Sequence, residues 1–300
     1  MLRTAFLALA AGTLLTAPAL AQPAGPPIPP VPTPPTPTPD AAPAVSDRPD
    51  PNDQSDTFTI GVGGAVIADF EGSDDYKLIP AAAIRGRFHR ISFTTRATFL
   101  YVDFIPRSAG HLSFNAGPIA GVRFNRTGHV KDPIVNLLPR RNKAFEVGGF
   151  AGVTYNGLTN PYDALSLRVD VVHDIGNAHR STIVSPALDF STPLSHTTYV
   201  GLSTGLDFVT SRYARYYFGI EPGDSGLSGL PVYSPGGGLK DWKVGLLVNQ
   251  SITGNLLHGL SLFGTGSYSR LLGDFKRSPI VAQRGSASQW LGAIGLAYTF

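Results

Sequence analysis

A transmembrane antiparallel β-barrel is the fold class this sequence predicts, and three observations predict it. The last dozen residues, QWLGAIGLAYTF, alternate with period two. Phe300, Tyr298, Leu296, Ile294, Gly292 and Trp290 share one face, while Thr299, Ala297, Gly295, Ala293 and Gln289 supply a small or polar opposite face, with Leu291 the exception. An apolar face with aromatics at both ends suits a strand between the aromatic girdles of a lipid bilayer. Many further segments of about ten residues alternate in the same way, the length a tilted strand needs to cross a bilayer. The amino terminus carries an export signal, and no later stretch approaches the roughly 18 consecutive apolar residues of a spanning helix.

Composition agrees. Among 300 residues, 34 are Gly and 26 Pro, and none is Cys. Charged residues make up 15%, against about 25% in an ordinary soluble domain. A mean hydropathy of +0.05 is what a lipid-facing exterior and a polar interior average to. Without cysteine there are no disulfides, thiol nucleophiles or Cys-ligated metals. A net charge of +3 with no basic block leaves no footprint for nucleic acid.

In chain order, residues 1–21 predict a cleaved signal peptide. Arg3 is the positive start, Ala5 to Leu15 the apolar core, and Ala19-Leu20-Ala21 the cleavage site. No cysteine follows, so a lipoprotein anchor is not expected. Residues 22–53 hold 13 of the 26 prolines, in runs such as GPPIPPVPTPPTPTPD. Proline removes backbone donors and fixes φ, which predicts a disordered or polyproline-II periplasmic linker. At about 3.1 Å per residue it reaches roughly 90 Å. It is either a leader without a role or a tether toward the cell wall or a partner.

Residues 54–300 are the expected barrel. Eleven strand-like segments lie near 57–68, 77–88, 91–101, 112–124, 145–155, 163–173, 182–190, 197–209, 240–250, 259–269 and 289–300. Leu165, Leu167, Val169 and Val171 oppose Ser166, Arg168 and Asp170, and Trp242, Val244, Leu246 and Val248 oppose Lys243. Charge recurring opposite the apolar face predicts lumen positions for Arg85, Arg87, Arg96, Glu146, Arg168, Asp170 and Lys243. Trp290, Tyr298 and Phe300 are the expected membrane and insertion signature. Short turns at His89-Arg90 and near 157–161, 191–195 and 254–259 read as periplasmic. Longer connections at 69–76, 174–181, 210–239 and 271–288 read as extracellular. Single-chain bacterial barrels have even strand numbers, so eleven segments predict twelve strands, with ten as the fallback. The region 102–144, which has no clear period, is the expected place of the discrepancy.

Few constellations suggest chemistry. Gly223-Asp224-Ser225-Gly226 matches the string around a chymotrypsin-like nucleophile, but no His sits in a matching context, so it reads as a loop. His173, Asp174, His179 and Ser181 are the only cluster suited to hydroxyl activation, and a polar loop closing the barrel mouth is the better account of them. Asp69, Glu71, Asp74 and Asp75 form an oxygen-rich cluster of the kind that takes Ca²⁺ or Mg²⁺, against a solvated hairpin tip as the plain alternative. Gly236-Gly237-Gly238 lacks the strand and helix context of a phosphate loop. No catalytic residue and no cofactor is expected.

Several stretches carry a family resemblance: EGSDDYKLIPAAAIRGRF, AGPIAGVRFNR, VNLLPRRNKAFEVGGFAGVTY, VVHDIGNAHRSTIVSPALDFSTPLS, YARYYFGI, GLPVYSPGGGLKD, YSRLLGDFKRSPIVAQRGS and the terminal LAYTF. Through nearly the whole mature chain the sequence resembles the MltA-interacting protein (MipA/OmpV) family. It departs in IGNAHRS, which replaces a Gly-Gly-His-Asp-Gly type of loop, and in its long proline-rich leader. The resemblance implies an exported outer-membrane barrel of a Gram-negative cell that is not an enzyme. It implies a scaffold linking a murein lytic transglycosylase to a murein synthase, with lipid and lipopolysaccharide as surroundings. A small-solute channel or a surface adhesin are the alternatives, and a lipid enzyme built on His173 and His179 a further one. The proline-rich arm fits the scaffold, because polyproline-II segments dock at low entropic cost.

Overall fold

The computed structural model of the chain describes residues 56–106 and 110–300. The expected signal peptide and proline-rich linker lie outside these residues. Twelve strands close into one barrel: β1 Thr57–Ala68, β2 Tyr76–Phe88, β3 Ile91–Arg96, β4 Phe99–Asp103, β5 Leu112–Arg123, β6 Ala144–Asn156, β7 Ala164–Asp174, β8 Thr182–Pro193, β9 Thr198–Val209, β10 Gly238–Ser251, β11 Gly259–Leu271 and β12 Ser288–Thr299. Each pairs antiparallel with its sequence neighbours, and β12 returns to β1 along Thr59 to Ile67. Such closure satisfies backbone groups that lipid cannot.

Period-two alternation then sorts the side chains. Leu78, Phe88, Phe114, Leu167 and Ile294 stand exposed on the outer wall, while Arg168, Asp170 and Glu146 on the intervening positions are buried. That apolar exterior is the belt of a transmembrane barrel. Aromatic clusters bound it at both ends. Trp242, Tyr268 and Trp290 pack edge-on and tilted, with ring centroids 5.4 and 4.7 Å apart. Tyr298, Phe300 and Phe58 gather at the other end, at 4.7 and 6.3 Å. The Phe300 N–H donates to the Phe58 carbonyl, tying the terminus to the first strand.

The twelfth strand is not where the sequence suggests. Among the described residues, the region 102–144 adds no strand beyond β5, and 124–143 is a loop with one 3-10 turn at Val135–Leu137. The segment 91–101 is two strands, β3 and β4, reversed at Ala97, whose φ is 51°. Six and five residues are too short to show a period. This hairpin is also the weakest seam, since β2 pairs β3 only from Arg85 to Phe88, and β4 pairs β5 only from Phe99 to Tyr101. Beyond the pairing, the Thr95 hydroxyl substitutes for the ladder by accepting from the Ile84 N–H at 2.9 Å. Pro80 and Pro118 lie in the flanking strands, as suits residues next to an incomplete ladder.

The connections separate by length. Short turns lie at one end. At the other, three long connections, 124–143, 210–237 and 272–287, fold into a cap with its own core. Four short helices form there, which an all-strand reading does not contain: α1 Ser211–Phe218, α2 Pro222–Ser228, α3 Gly273–Arg277 and α4 Pro279–Ala282. α1 buries Tyr213, Ala214, Tyr217 and Phe218, the i, i+1, i+4, i+5 stripe of an amphipathic helix. Phe218 meets Phe275 edge-on at 5.3 Å, and the Ser278 hydroxyl donates to the Phe218 carbonyl at 2.6 Å. Arg284 grips Asp132 through two nitrogens, at 3.0 and 2.7 Å. Gly223-Asp224-Ser225-Gly226 is therefore a helical turn in α2, not a loop.

Candidate functional site

The residues that decide what this barrel can do are those that cross its bore. A β-bulge between Leu239 and Asp241 breaks the alternation of β10 and buries both Lys240 and Asp241. Lys240 Nζ then bonds Glu71 and lies 3.4 Å from Asp207 and 3.2 Å from Asp241. From the far wall, Arg123 of β5 clasps Glu146 through Nε at 2.7 Å and Nη2 at 3.0 Å. Between these walls sits the ring of Tyr213, fully buried. Its centroid lies 5.8 Å from the Arg123 guanidinium and 5.5 Å from Lys240 Nζ. Its hydroxyl donates to Glu71 at 2.8 Å. β5 and β10 lie five places apart around a ring of twelve strands, so one aromatic ring bridges nearly opposite walls. Burial opposes ionisation of Glu71, but Lys240 and Arg123 outweigh it and hold that carboxyl below the usual glutamate range.

A second layer uses strands alone. Arg96 of β3 reaches Asp189 of β8, again five places away, at 3.2 Å. Arg168 stands 3.3 Å from Asp170 and 3.7 Å from Asp189. The Tyr101 hydroxyl donates to Asp170 at 2.9 Å, and the Arg168 guanidinium lies 5.2 Å from the Tyr101 ring. Lys243 joins Asp207 at 2.8 Å. Of the charges expected in the lumen, Arg96, Glu146, Arg168, Asp170 and Lys243 belong to these layers. Arg85 is exposed and Arg87 half-buried, both near the short-turn end.

The other candidates are dispersed or reassigned. Asp69, Glu71, Asp74 and Asp75 do not converge. Asp69 is buried against Lys77 at 3.2 Å and accepts the Lys131 N–H at 2.7 Å, Glu71 turns inward to Lys240, and Asp74 faces solvent. Among the described residues no three acidic or histidine groups gather as a metal site. His173 points outward to Thr182 at 3.0 Å, and Asp174 accepts three backbone N–H groups, from Gly176, His179 and Arg180. His179 and Ser181 do meet, Nδ1 to Oγ at 2.7 Å, while Nε2 lies 3.1 Å from Glu146. All three are buried, and Glu146 is already held by Arg123.

Sequence reasoning missed Lys240, Asp207, Tyr213 and Arg123. Lys240 falls on the outward face of a regular strand and only the bulge turns it in. Tyr213 lies on a helix of eight residues, whose one visible signal is the spacing of tyrosines in SRYARYYF.

A family model described as MltA-interacting protein MipA matches residues 60–300. The chain belongs to this family. Among solved structures, this MipA-family barrel is similar to the NanC porin at 10% identity, covering 80% of this chain and 98% of that one, with a TM-score of 0.47. An outer-membrane channel from Pseudomonas putida matches at 10% identity over 84% of this chain and 100% of the other, TM-score 0.42. The outer membrane protein OprD from Pseudomonas aeruginosa matches at 11% identity over 80% and 65%, TM-score 0.37. No curated protein matches the chain.

Proposed function

We propose that this protein is a non-conducting outer-membrane barrel that anchors peptidoglycan-remodelling enzymes, a murein lytic transglycosylase first and a murein synthase with it. The observation that carries this is the doubly crossed bore. A selective pore needs unpaired charge along an open wall, whereas here Arg96 bonds Asp189 across the lumen and Tyr213 spans Arg123 and Lys240. The family's description as MltA-interacting supports the transglycosylase as partner. The long cap faces outward in this orientation, and the short turns face the periplasm.

Catalysis is no part of the proposal. Ser181, which His179 links to Glu146, is buried, and the cavity next to it is lined by Ala178, His179 and Arg180 but not by Ser181. The test is affinity capture from envelope extract with the full chain and with a version lacking residues 22–53. Enrichment of a lytic transglycosylase by the full chain, lost on truncation, is the expected outcome. Capture that survives truncation would move the contact to the barrel's turns, and recovery of no wall enzyme by either protein would refute the anchor.

A further inference from the structure

One edge within the barrel wall is open. β2 pairs β1 from Tyr76 to Arg87, but it pairs β3 only from Arg85 to Phe88. The Ile84 N–H and C=O both turn toward β3, where the Thr95 hydroxyl meets them at 2.9 and 3.3 Å. Even-numbered residues of β2 therefore present their backbone groups to that side. At the cap end the Tyr76 carbonyl accepts from Lys131 Nζ at 2.6 Å. Between these two points the N–H and C=O of Leu78 and Ala82, and the C=O of Pro80, meet no partner among the described residues. Across the opening, β4 reaches β5 only from Phe99 to Tyr101, and the Thr98 hydroxyl donates to the Val122 carbonyl at 2.6 Å. The wall thus has a notch, with the 95–98 turn at its foot and the loop 124–143 at its head.

The notch opens on the lipid side. Tyr76 stands at the aromatic girdle, its hydroxyl accepting from the Trp290 N–H at 3.3 Å. Leu78 is 76% exposed, and Pro80 and Ala82 are exposed on the same outer face. Hydrocarbon satisfies no backbone group, so these five need another partner. A strand from a second protein is a poor one. The free edge is only five residues long, and Pro80 at its centre withdraws the donor a strand would use, as proline does on guarded edges. Ala82, at the foot, adjoins Ala83, which faces the bore and is exposed to its water. Leu78 and Pro80 have no such recourse. Two ammonium groups flank the head of the notch. Lys131 lies on the β2 side, and Lys143 on the β5 side, over the Phe124 ring at 5.6 Å. Both are exposed, and neither is ion-paired among the described residues.

We propose that this notch seats one lipopolysaccharide molecule of the outer leaflet, its phosphates against Lys131 and Lys143 and an acyl linkage against Leu78 and Pro80. Two residues of strand separate Tyr76 from Leu78, about 7 Å, which sets the linkage just beneath the headgroup. Ammonium groups without carboxylates suit phosphate oxygens. The open edge needs donors as well as acceptors, since the Leu78 and Pro80 carbonyls are free beside the Leu78 N–H. Phospholipid esters only accept, whereas amide-linked and 3-hydroxylated acyl chains both donate and accept. The proposal rests on the cap facing outward and not on the anchoring role.

The test places the full-length protein in phosphatidylcholine nanodiscs, alone, with lipopolysaccharide, or with phosphatidylglycerol as the anionic control. Amide exchange is read by NMR at Leu78 and at Val62, whose strand is paired on both sides. Lipopolysaccharide should slow exchange at Leu78 by about tenfold or more and leave Val62 unchanged, and phosphatidylglycerol should not. Lys131→Gln with Lys143→Gln, both at exposed positions, should weaken retention of fluorescent lipopolysaccharide by about tenfold or more and restore fast exchange at Leu78. A heat-modifiable gel shift checks that the variant barrel is folded. Slow exchange at Leu78 in all three nanodiscs would mean that the edge is already paired, and would overturn the proposal. So would exchange that lipopolysaccharide leaves unchanged, equal slowing by phosphatidylglycerol, or undiminished retention by the double variant.

Discussion

Replacing residues 210–237 with a two-residue Asn-Gly turn, in a protein that also carries Arg96→Ala, should convert a silent barrel into a conducting one. Val209 and Gly238 pair directly, so the long connection leaves and re-enters the wall at adjacent points and a two-residue hairpin loop closes the gap. The excision removes Tyr213, Tyr217 and Phe218, all buried. Losing a buried aromatic costs about 3–5 kcal/mol each, but that stability belongs to the cap. The strand ladder is untouched, and Lys240 keeps Glu71, Asp207 and Asp241 as partners. The Arg96–Asp189 pair is a smaller matter energetically. Its side chains are 46% and 21% exposed, so its contribution is about 0–1 kcal/mol, and its role is to occupy the bore. The two obstructions lie in series, so either single change should leave the other in place. Planar-bilayer recordings should then show no steps for the wild type, little for each single variant and ohmic current for the combination. A wild type that conducts, a single variant that conducts as well as the combination, or a combination that stays silent while migrating as a folded barrel would each refute two-layer closure.

Three further outcomes follow from individual groups. Glu71→Gln should loosen the cap by about 1–3 kcal/mol, since the amide keeps one acceptor oxygen but removes the negative charge that Lys240 and Arg123 face. A carboxyl held low when folded adds stability above its ordinary value and loses it as pH falls through the folded value. Wild-type protection of the cap from protease should therefore persist at neutral pH and fade below about pH 4, while the variant is cut at neutral pH and changes less on acidification. Asp163→Ala should lower barrel stability by about 2 kcal/mol, measured by urea unfolding in micelles. Asp163 accepts the Leu158, Thr159 and Asn160 N–H groups in the turn before β7, and although burial opposes it, the hydroxyl and backbone donors hold its carboxyl low. Gly63→Ala should prevent closure altogether, because a Cβ there would stand 2.1 Å from the Ile294 carbonyl oxygen on the paired strand. Loss of the heat-modifiable gel shift is the readout, and a normal shift would contradict the close approach of β1 and β12.

Much of this architecture was legible in the linear order of residues. Alternation is a local property: Leu167, Val169 and Val171 face outward against Arg168 and Asp170 because successive side chains of any strand point to opposite faces. The aromatic ends, the class of fold and the family all follow from such local patterns, and they determined that the chain is a barrel with charge inside. The even strand number came from the rule for closed bacterial barrels, since alternation alone shows eleven segments. What the alternation does not hold is anything that depends on where two distant segments meet. The β3–β4 hairpin was hidden in segment 91–101 because five- and six-residue strands are shorter than a readable period. Lys240 sits on the outward register of β10 until a bulge, which no residue type announces, turns it to the bore. Tyr213 lies 142 residues from Glu71 in sequence, and its position between Arg123 and Lys240 is decided by how three loops pack into one core. Whether the barrel is an open tube or a closed one is a property of contacts across the bore, between strands five places apart, and only the tertiary structure brings those residues face to face.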